Sequence, residues 1–223
     1  MQRENKLQQL VLKEVRNSPL IIKNQKELFF DKGDDPLSSE NTLKYFYFIM
    51  DGKIKIYDID FNTSKEQTLY MLTYGDMFDV VSLLDGQPNR YISEVLEPTR
   101  IIRVPLEDVK QMILDDEKFR QYFYSYVASQ LKSMEDLAVS LSFYDVYQRV
   151  IQLFARFTQT IDGKSKLITI DNLSHEELAS MVGSVRKVLN RTLQKLKQDG
   201  IIDISRKHIH IKNFQKLLDK LNF

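Results

Sequence analysis

The side chains best suited to chemistry in this chain are cationic and amide groups near its C-terminus. Arg186, Lys187, Asn190 and Arg191 fall at i, i+1, i+4 and i+5, so a helix would carry all four on one side. Arginine suits guanine O6 and N7 bidentately, asparagine can read adenine or hold a phosphate, and lysine supplies a point charge. Val188, Leu189, Leu193 and Leu196 occupy the other side at helical spacing. A bundle helix with a solvated basic face has the same periodicity, so the neighbouring segments must separate the two readings.

Just upstream, Ser174 with Glu177 three residues later reads as a capping box, so a helix starts there. Leu178, Met181 and Val182 give that helix an apolar face, and Ala179 is small where two helices would cross. Gly183 suits a turn with positive φ. Two helices joined in this way predict a helix-turn-helix whose second helix enters the major groove of double-stranded DNA. Further on, Ile201–Ile204 and His208–Ile211 flank Ser205-Arg206-Lys207 and predict a wing hairpin with a basic tip. Ser184, Lys195, Arg206 and Lys207 are the phosphate candidates.

Charge supports the nucleic-acid reading. The formal net charge is only +1, but from Gly183 to Phe223 ten Lys and Arg face three Asp, a local balance of +7. The rest of the chain is at −6. A basic end on an acidic body is the footprint expected of one nucleic-acid-binding domain.

Other chemistries are poorly supplied. The chain has no cysteine, which excludes disulfides, cysteine-held iron–sulfur clusters and thiol catalysis, and which fits a reducing compartment. Its three histidines, His175, His208 and His210, all lie in the C-terminal part. An oxygenase-type site needs clustered His and carboxylate within a barrel, and none is available there. The seven glycines are scattered and form no phosphate loop. No catalytic or metal site is therefore expected, and the chain reads as a non-enzyme. No apolar run approaches the roughly 20 residues that cross a bilayer. The first residues carry acids and no long apolar core, so neither a signal nor a transit peptide is expected.

These groups need a scaffold. Residues 1 to about 18 read as a helix, with Leu7, Leu10, Val11 and Val15 on one face and Pro19 at its end. From Leu20 to Val104 come short β-type runs: 21–22, 27–30, 45–49, 54–57, 68–72, 91–93 and 100–104. Asp51-Gly52 between apolar runs predicts a hairpin turn. Many short antiparallel strands predict a jelly-roll or barrel. Pro105–Val109 opens a short helix, and a long one follows from Glu117 to Ser142. Phe123, Val127, Gln130, Met134, Leu137 and Leu141 form an a/d seam on it, which predicts a homodimer helix. Asp145–Ile161 is a further amphipathic helix, and Lys166–Ile170 a short strand. The expected fold is α+β: a β-jelly-roll domain over 1–115, a dimerisation helix over 116–142 and a winged helix-turn-helix domain over 143–223.

This order, with Gly75-Asp76-Met77-Phe78, Ser82-Leu83-Leu84-Asp85-Gly86, Leu96-Glu97-Pro98-Thr99 and the helix-turn-helix, resembles the Crp/Fnr family of transcription regulators. The resemblance covers nearly the whole chain and implies a cyclic-nucleotide-binding type of barrel, a dimer on palindromic DNA and RNA polymerase as a partner. In cyclic-nucleotide-binding members a Glu after the Gly-Asp-x-Phe turn holds the ribose. That position is Val80 here, which cannot accept a hydrogen bond and argues against cyclic AMP. Phe78-Asp79-Val80-Val81 and Asn89-Arg90-Tyr91 are most similar to the nitrogen-regulator branch of cyanobacteria and plastids. That likeness implies 2-oxoglutarate as effector and a bacterial cytoplasm or plastid stroma as the site of action. It implies effector contacts from Phe78, Val80, Val81 and Arg90, with Gln130 and Glu135 on the long helix. The chain departs from the branch at Gln130, where the relatives carry Arg, and at Asp79, where they carry Gly. By the same resemblance Arg186 and Arg191 are the base-reading arginines. Lys187 stands where the cyclic-AMP branch has a cytosine-reading Glu, so the operator expected here is of the GTA…TAC type.

Overall fold

In the computed structural model, residues 2–37, 41, 43–88, 90–161, 163–205 and 208–221 are described. Contacts divide the chain into two units. One comprises Met1–Asp58 and Leu69–Met134, and the other Ile59–Thr68 and Glu135–Phe223.

The first unit is built on an antiparallel sheet. β1 (Lys26–Phe30), β2 (Tyr45–Asp60), β3 (Lys65–Leu72) and β5 (Ile92–Pro105) run in the order β1-β5-β2-β3, and β4 (Met77–Phe78) pairs with β2. The runs 45–49 and 54–57 are one continuous strand, so the hairpin predicted at Asp51-Gly52 is absent. The glycine is needed for another reason. Its φ is +90°, and a Cβ there would lie 2.2 Å from Thr99 Oγ1 and 2.6 Å from the Pro98 carbonyl oxygen. The register of β2 against β5 shifts between Ile49 and Ile54, a bulge. The bulge inverts the alternation of β2. Before it, Phe46, Phe48 and Met50 join the helix-facing core and Tyr47 and Ile49 the other. After it, even-numbered Ile54 and Ile56 join Tyr47 and Ile49. Lys53 and Lys55 are turned to the opposite side and buried, where they pair with Glu97 (3.5 Å) and Glu94 (2.7 Å) on β5.

Helices cover the face formed by Phe46, Phe48 and Met50. They are α1 (Gln2–Asn17), α2 (Pro19–Asn24), α4 (Leu106–Asp115) and the start of α5 (Glu117–Phe143). Ile21-Ile22 is helical rather than extended: Ser18 caps α2 by accepting the Ile21 N–H, and Pro19 opens it. The 27-residue α5 begins in the first unit and ends in the second. Its predicted seam divides unevenly. Phe123 is fully buried in the core of its own unit and Val127 packs against it, while Gln130, Met134 and Leu137 are half-buried. The exposed stripe is shifted by one residue: Tyr124, Ala128, Leu131, Glu135 and Ala138, spaced alternately four and three apart.

The second unit contains α6 (Val146–Phe157), the hairpin β6 (Thr158–Ile161)–β7 (Lys164–Leu167), and helices α7 (His175–Met181) and α8 (Arg186–Gln198). The hairpin β8 (Ile202–Ser205)–β9 (His208–Ile211) and α9 (Phe214–Leu218) complete it. Val150, Ile151 and Phe154 of α6, Leu189, Leu193 and Leu196 of α8 and Leu217 of α9 are fully buried. Residues 158–161, predicted as helix, form β6. Thr158 Oγ1 caps the end of α6 by donating to the Phe154 carbonyl (2.6 Å). The β2–β3 hairpin tip, Ile59–Thr68, also belongs to this unit, with Thr68 Oγ1 2.7 Å from Ser180 Oγ on α7.

Candidate nucleic-acid interface and effector loop

The helix-turn-helix forms as its local chemistry requires. Ser174 Oγ accepts the Glu177 N–H (3.1 Å) and Glu177 Oε2 accepts the Ser174 N–H (2.5 Å), a complete capping box. At the other end of α7, Ser184 N–H donates to Ala179 O (2.9 Å) and Gly183 N–H to Ser180 O (3.3 Å). With Gly183 at φ +59°, this is the Schellman way of ending a helix. Gly183 is also tightly packed, since a Cβ there would lie 2.6 Å from Leu141 Cδ2 and from Gln67 Oε1.

α8 starts without help. Its N-cap, Val185, has no side-chain capping bond, its first turn holds no acid, and Arg186 and Lys187 open it. A helix N-terminus already carries about half a positive charge, so two cations there oppose the dipole. An anion such as a phosphate, placed at this exposed helix end, would relieve that opposition.

Arg186, Lys187, Arg191 and Lys195 are all exposed, with Leu189, Leu193 and Leu196 buried behind them. The predicted separation of faces on α8 is therefore present. Ser184 and Asn190 are half-buried. Lys195 Nζ lies 4.4 Å from the Tyr147 ring centroid, so this phosphate candidate rests on an aromatic face. Arg206 and Lys207 lie outside the described residues; the strands before and after them in the sequence pair as expected, from Ile202↔Ile211 to Ser205↔His208. Two neighbours were not anticipated. Glu176 Oε1 accepts from Arg186 Nη1 at 2.7 Å, and His175 Nδ1 is 2.6 Å from Asn190 Oδ1. The capping box places both residues in the first turn of α7, but no sequence pattern shows which α8 side chains they meet.

In the first unit, Met77-Phe78 leads into α3 (Val80–Asp85), which ends at Gly86 with φ +73°. Phe78 is buried with its ring 6.5 Å from that of Tyr47. Val80 packs on the helix-facing core, whereas Val81 and Arg90 are exposed. Among the described residues no hydrogen bond or ion pair joins Arg90 to Val80, Val81 or Gln130. Glu135 is exposed and falls in the second unit. Asp79 is buried at the head of α3. The Tyr47 hydroxyl is pushed up to about 12, first by burial, with the Asp79 charge adding and Arg103 opposing.

The turn before this loop is tied to two helices. Asp76 Oδ1 accepts from Gln8 Nε2 on α1 (2.7 Å) and from Tyr126 Oη on α5 (3.2 Å). Its Oδ2 accepts from Thr73 N–H (2.8 Å) and Thr73 Oγ1 (3.2 Å). Burial pushes Asp76 up to about 6, against the pull of these four donors. Tyr126 Oη in turn accepts the Met77 N–H (3.1 Å), and its own pKa is raised by burial and by Asp76, with Gln130 bonding to it in the opposite sense.

Known proteins match both units. Residues 27–116 match the cyclic nucleotide-binding domain and residues 148–220 the Crp-like helix-turn-helix domain. The global nitrogen regulator of Nostoc sp. is 25% identical over 173 residues, covering 74% of this chain and 75% of the relative. The CRP-like cAMP-activated global transcriptional regulator of Mycobacterium tuberculosis is 25% identical over 201 residues, 88% of each. Among solved structures, a CooA mutant from Carboxydothermus hydrogenoformans superposes with TM-score 0.78 over 94% of both chains, at 20% identity. Among the described residues no helix is long and apolar enough to cross a membrane. A cyclic-nucleotide-type sheet, a long helix and a capped helix-turn-helix with a cationic second helix occur here in one chain, and the chain belongs to the Crp/Fnr family of DNA-binding transcription regulators.

Proposed function

We propose that this regulator works as a homodimer on a palindromic operator, with Arg186 and Arg191 reading bases and its effector loop responding to 2-oxoglutarate. The observation that carries the reading is the start of α8, where an uncapped N-terminus, Arg186 and Lys187 converge on an exposed surface. Ser184, Lys195, Arg206 and Lys207 are the phosphate contacts. The exposed stripe Tyr124–Ala128–Leu131–Glu135–Ala138 is the face of α5 offered to a second copy, since its spacing is that of a coiled-coil seam. A two-fold dimer would set its reading helices about 34 Å apart, one DNA turn.

Support for 2-oxoglutarate is the likeness to global nitrogen regulators and the exposed Arg90, whose guanidinium suits a carboxylate. A second reading, a DNA-binding dimer indifferent to 2-oxoglutarate, is favoured by Asp79. Its carboxylate is buried within the loop that would receive a dianion, and like charge in a dry site repels strongly. RNA polymerase is the further partner, and a bacterial cytoplasm or plastid stroma the compartment, by the same likeness.

The test is fluorescence anisotropy of the full chain on a labelled GTA…TAC duplex, with and without 2-oxoglutarate, at one fixed salt concentration. Tighter specific binding with the ligand supports the full reading. Specific binding that ignores the ligand leaves the second reading. Binding no tighter than to random duplex overturns the assigned operator.

A further inference from the structure

We propose that His175, on the first helix of the motif, is a specificity-determining positioning residue that fixes which edge of Asn190 the second helix presents to DNA. His175 Nδ1 and Asn190 Oδ1 are 2.6 Å apart. An amide oxygen only accepts, so Nδ1 carries the hydrogen and donates it. The reverse orientation would set the amide nitrogen against a ring nitrogen at a distance short even for N–H···O. The contact therefore selects both the histidine tautomer and the amide orientation.

The consequence for recognition follows from the asymmetry of asparagine. An unheld amide can turn either its oxygen or its NH2 outward. With Oδ1 held by His175, Asn190 offers donors. Donors suit guanine O6 and N7, thymine O4 and adenine N7, and oppose the amino groups of cytosine and adenine. The bond also removes rotamer freedom before DNA arrives, which lowers the ordering cost of the contact. Both residues are half-buried, so the pair is partly shielded from competing water. Arg186 is treated differently: its partner Glu176 is exposed, and an exposed ion pair is weak enough to yield to guanine. The first helix thus holds one reading side chain firmly and another loosely.

The inference rests on α8 reading DNA as proposed above. The experiment is selection from a randomised palindromic duplex library by the full-length wild type, His175→Ala, His175→Gln, Asn190→Ala and the double alanine variant. Circular dichroism confirms that each is folded. The wild type should enrich, at one position per half-site, a base presenting an acceptor. His175→Ala should lose about tenfold of that preference while keeping the positions read by Arg186 and Arg191. His175→Gln, which retains an N–H donor, should restore it, and His175→Ala should add nothing in the Asn190→Ala background. An unchanged preference in His175→Ala overturns the proposal, as does a loss that persists without Asn190. A uniform loss over all sequences overturns base reading and assigns the donor to phosphate. A wild type that enriches no motif removes the DNA-reading role itself.

Discussion

Replacing Tyr126 by Phe removes one oxygen from the buried polar cluster around Asp76. The ring stays and packing is preserved, so the effect is read from hydrogen bonds alone. Tyr126 Oη accepts the buried Met77 N–H at 3.1 Å and has Asp76 Oδ1 and Met77 O within 3.2 Å for its single hydrogen. The Phe variant leaves the Met77 N–H unpaired, at about 1–3 kcal/mol, and takes one of four donors from a buried carboxylate, at about 1.5 kcal/mol. The expected loss is about 2.5–4.5 kcal/mol, a large share of the roughly 5–15 kcal/mol that domains possess. The chain contains no tryptophan, so far-UV circular dichroism in urea is the suitable assay, with the midpoint rather than the slope expected to move. If the two units melt separately, only the transition of the first should shift. A loss below about 1 kcal/mol would refute the argument that this oxygen is an essential joint between the Asp76 turn and α5.

Arg186→Ala should weaken binding to the specific duplex by about 1–3 kcal/mol and relax one base position, while random DNA is less affected; equal losses on both would assign Arg186 to phosphate. Leu131→Asp, in the exposed stripe of α5, should shift the proposed dimer to monomer in sedimentation and leave the helical content unchanged. A persisting dimer would move the interface elsewhere. Asp76 has its folded pKa raised to about 6, so its native state holds a proton more tightly than the unfolded chain. Its contribution to stability is therefore present below about pH 4 and is lost as pH rises through 6. Relative to Asp76→Asn, the wild type should lose on the order of 2–3 kcal/mol between pH 4 and 7. Urea midpoints for both proteins across that range would show it, and a slope of opposite sign would mean that the four donors outweigh burial.

The sequence displays what local chemistry alone decides. Ser174 and Glu177 announce a capping box, Gly183 the turn, and α5 runs from Glu117 as its periodicity requires. It is ambiguous wherever a distant neighbour decides. Asp51-Gly52 has the composition of a hairpin turn, yet its glycine is there because β5 approaches the backbone. Two apolar stripes run along α5, and only the fold shows that Phe123 serves its own core while Tyr124 and Leu131 remain outside. Ile21-Ile22 follows Pro19 and looks extended until Ser18 is seen to cap it. The site was legible to the same degree. The cationic face of α8 is a matter of spacing, but His175 meeting Asn190 depends on how two helices cross, which spacing does not encode.

The tip of the β2–β3 hairpin has a consequence for anyone who exchanges parts between regulators. Ile59–Thr68 keeps company with the helix-turn-helix, with Thr68 against Ser180 and Gln67 beside the Gly183 turn. The surroundings of the helix-turn-helix are thus discontinuous in the sequence. A chimera spliced only within α5 would pair one parent's fingertip with another's knuckle. A graft that carries both segments preserves the match, so the sensible unit of transplantation has two pieces.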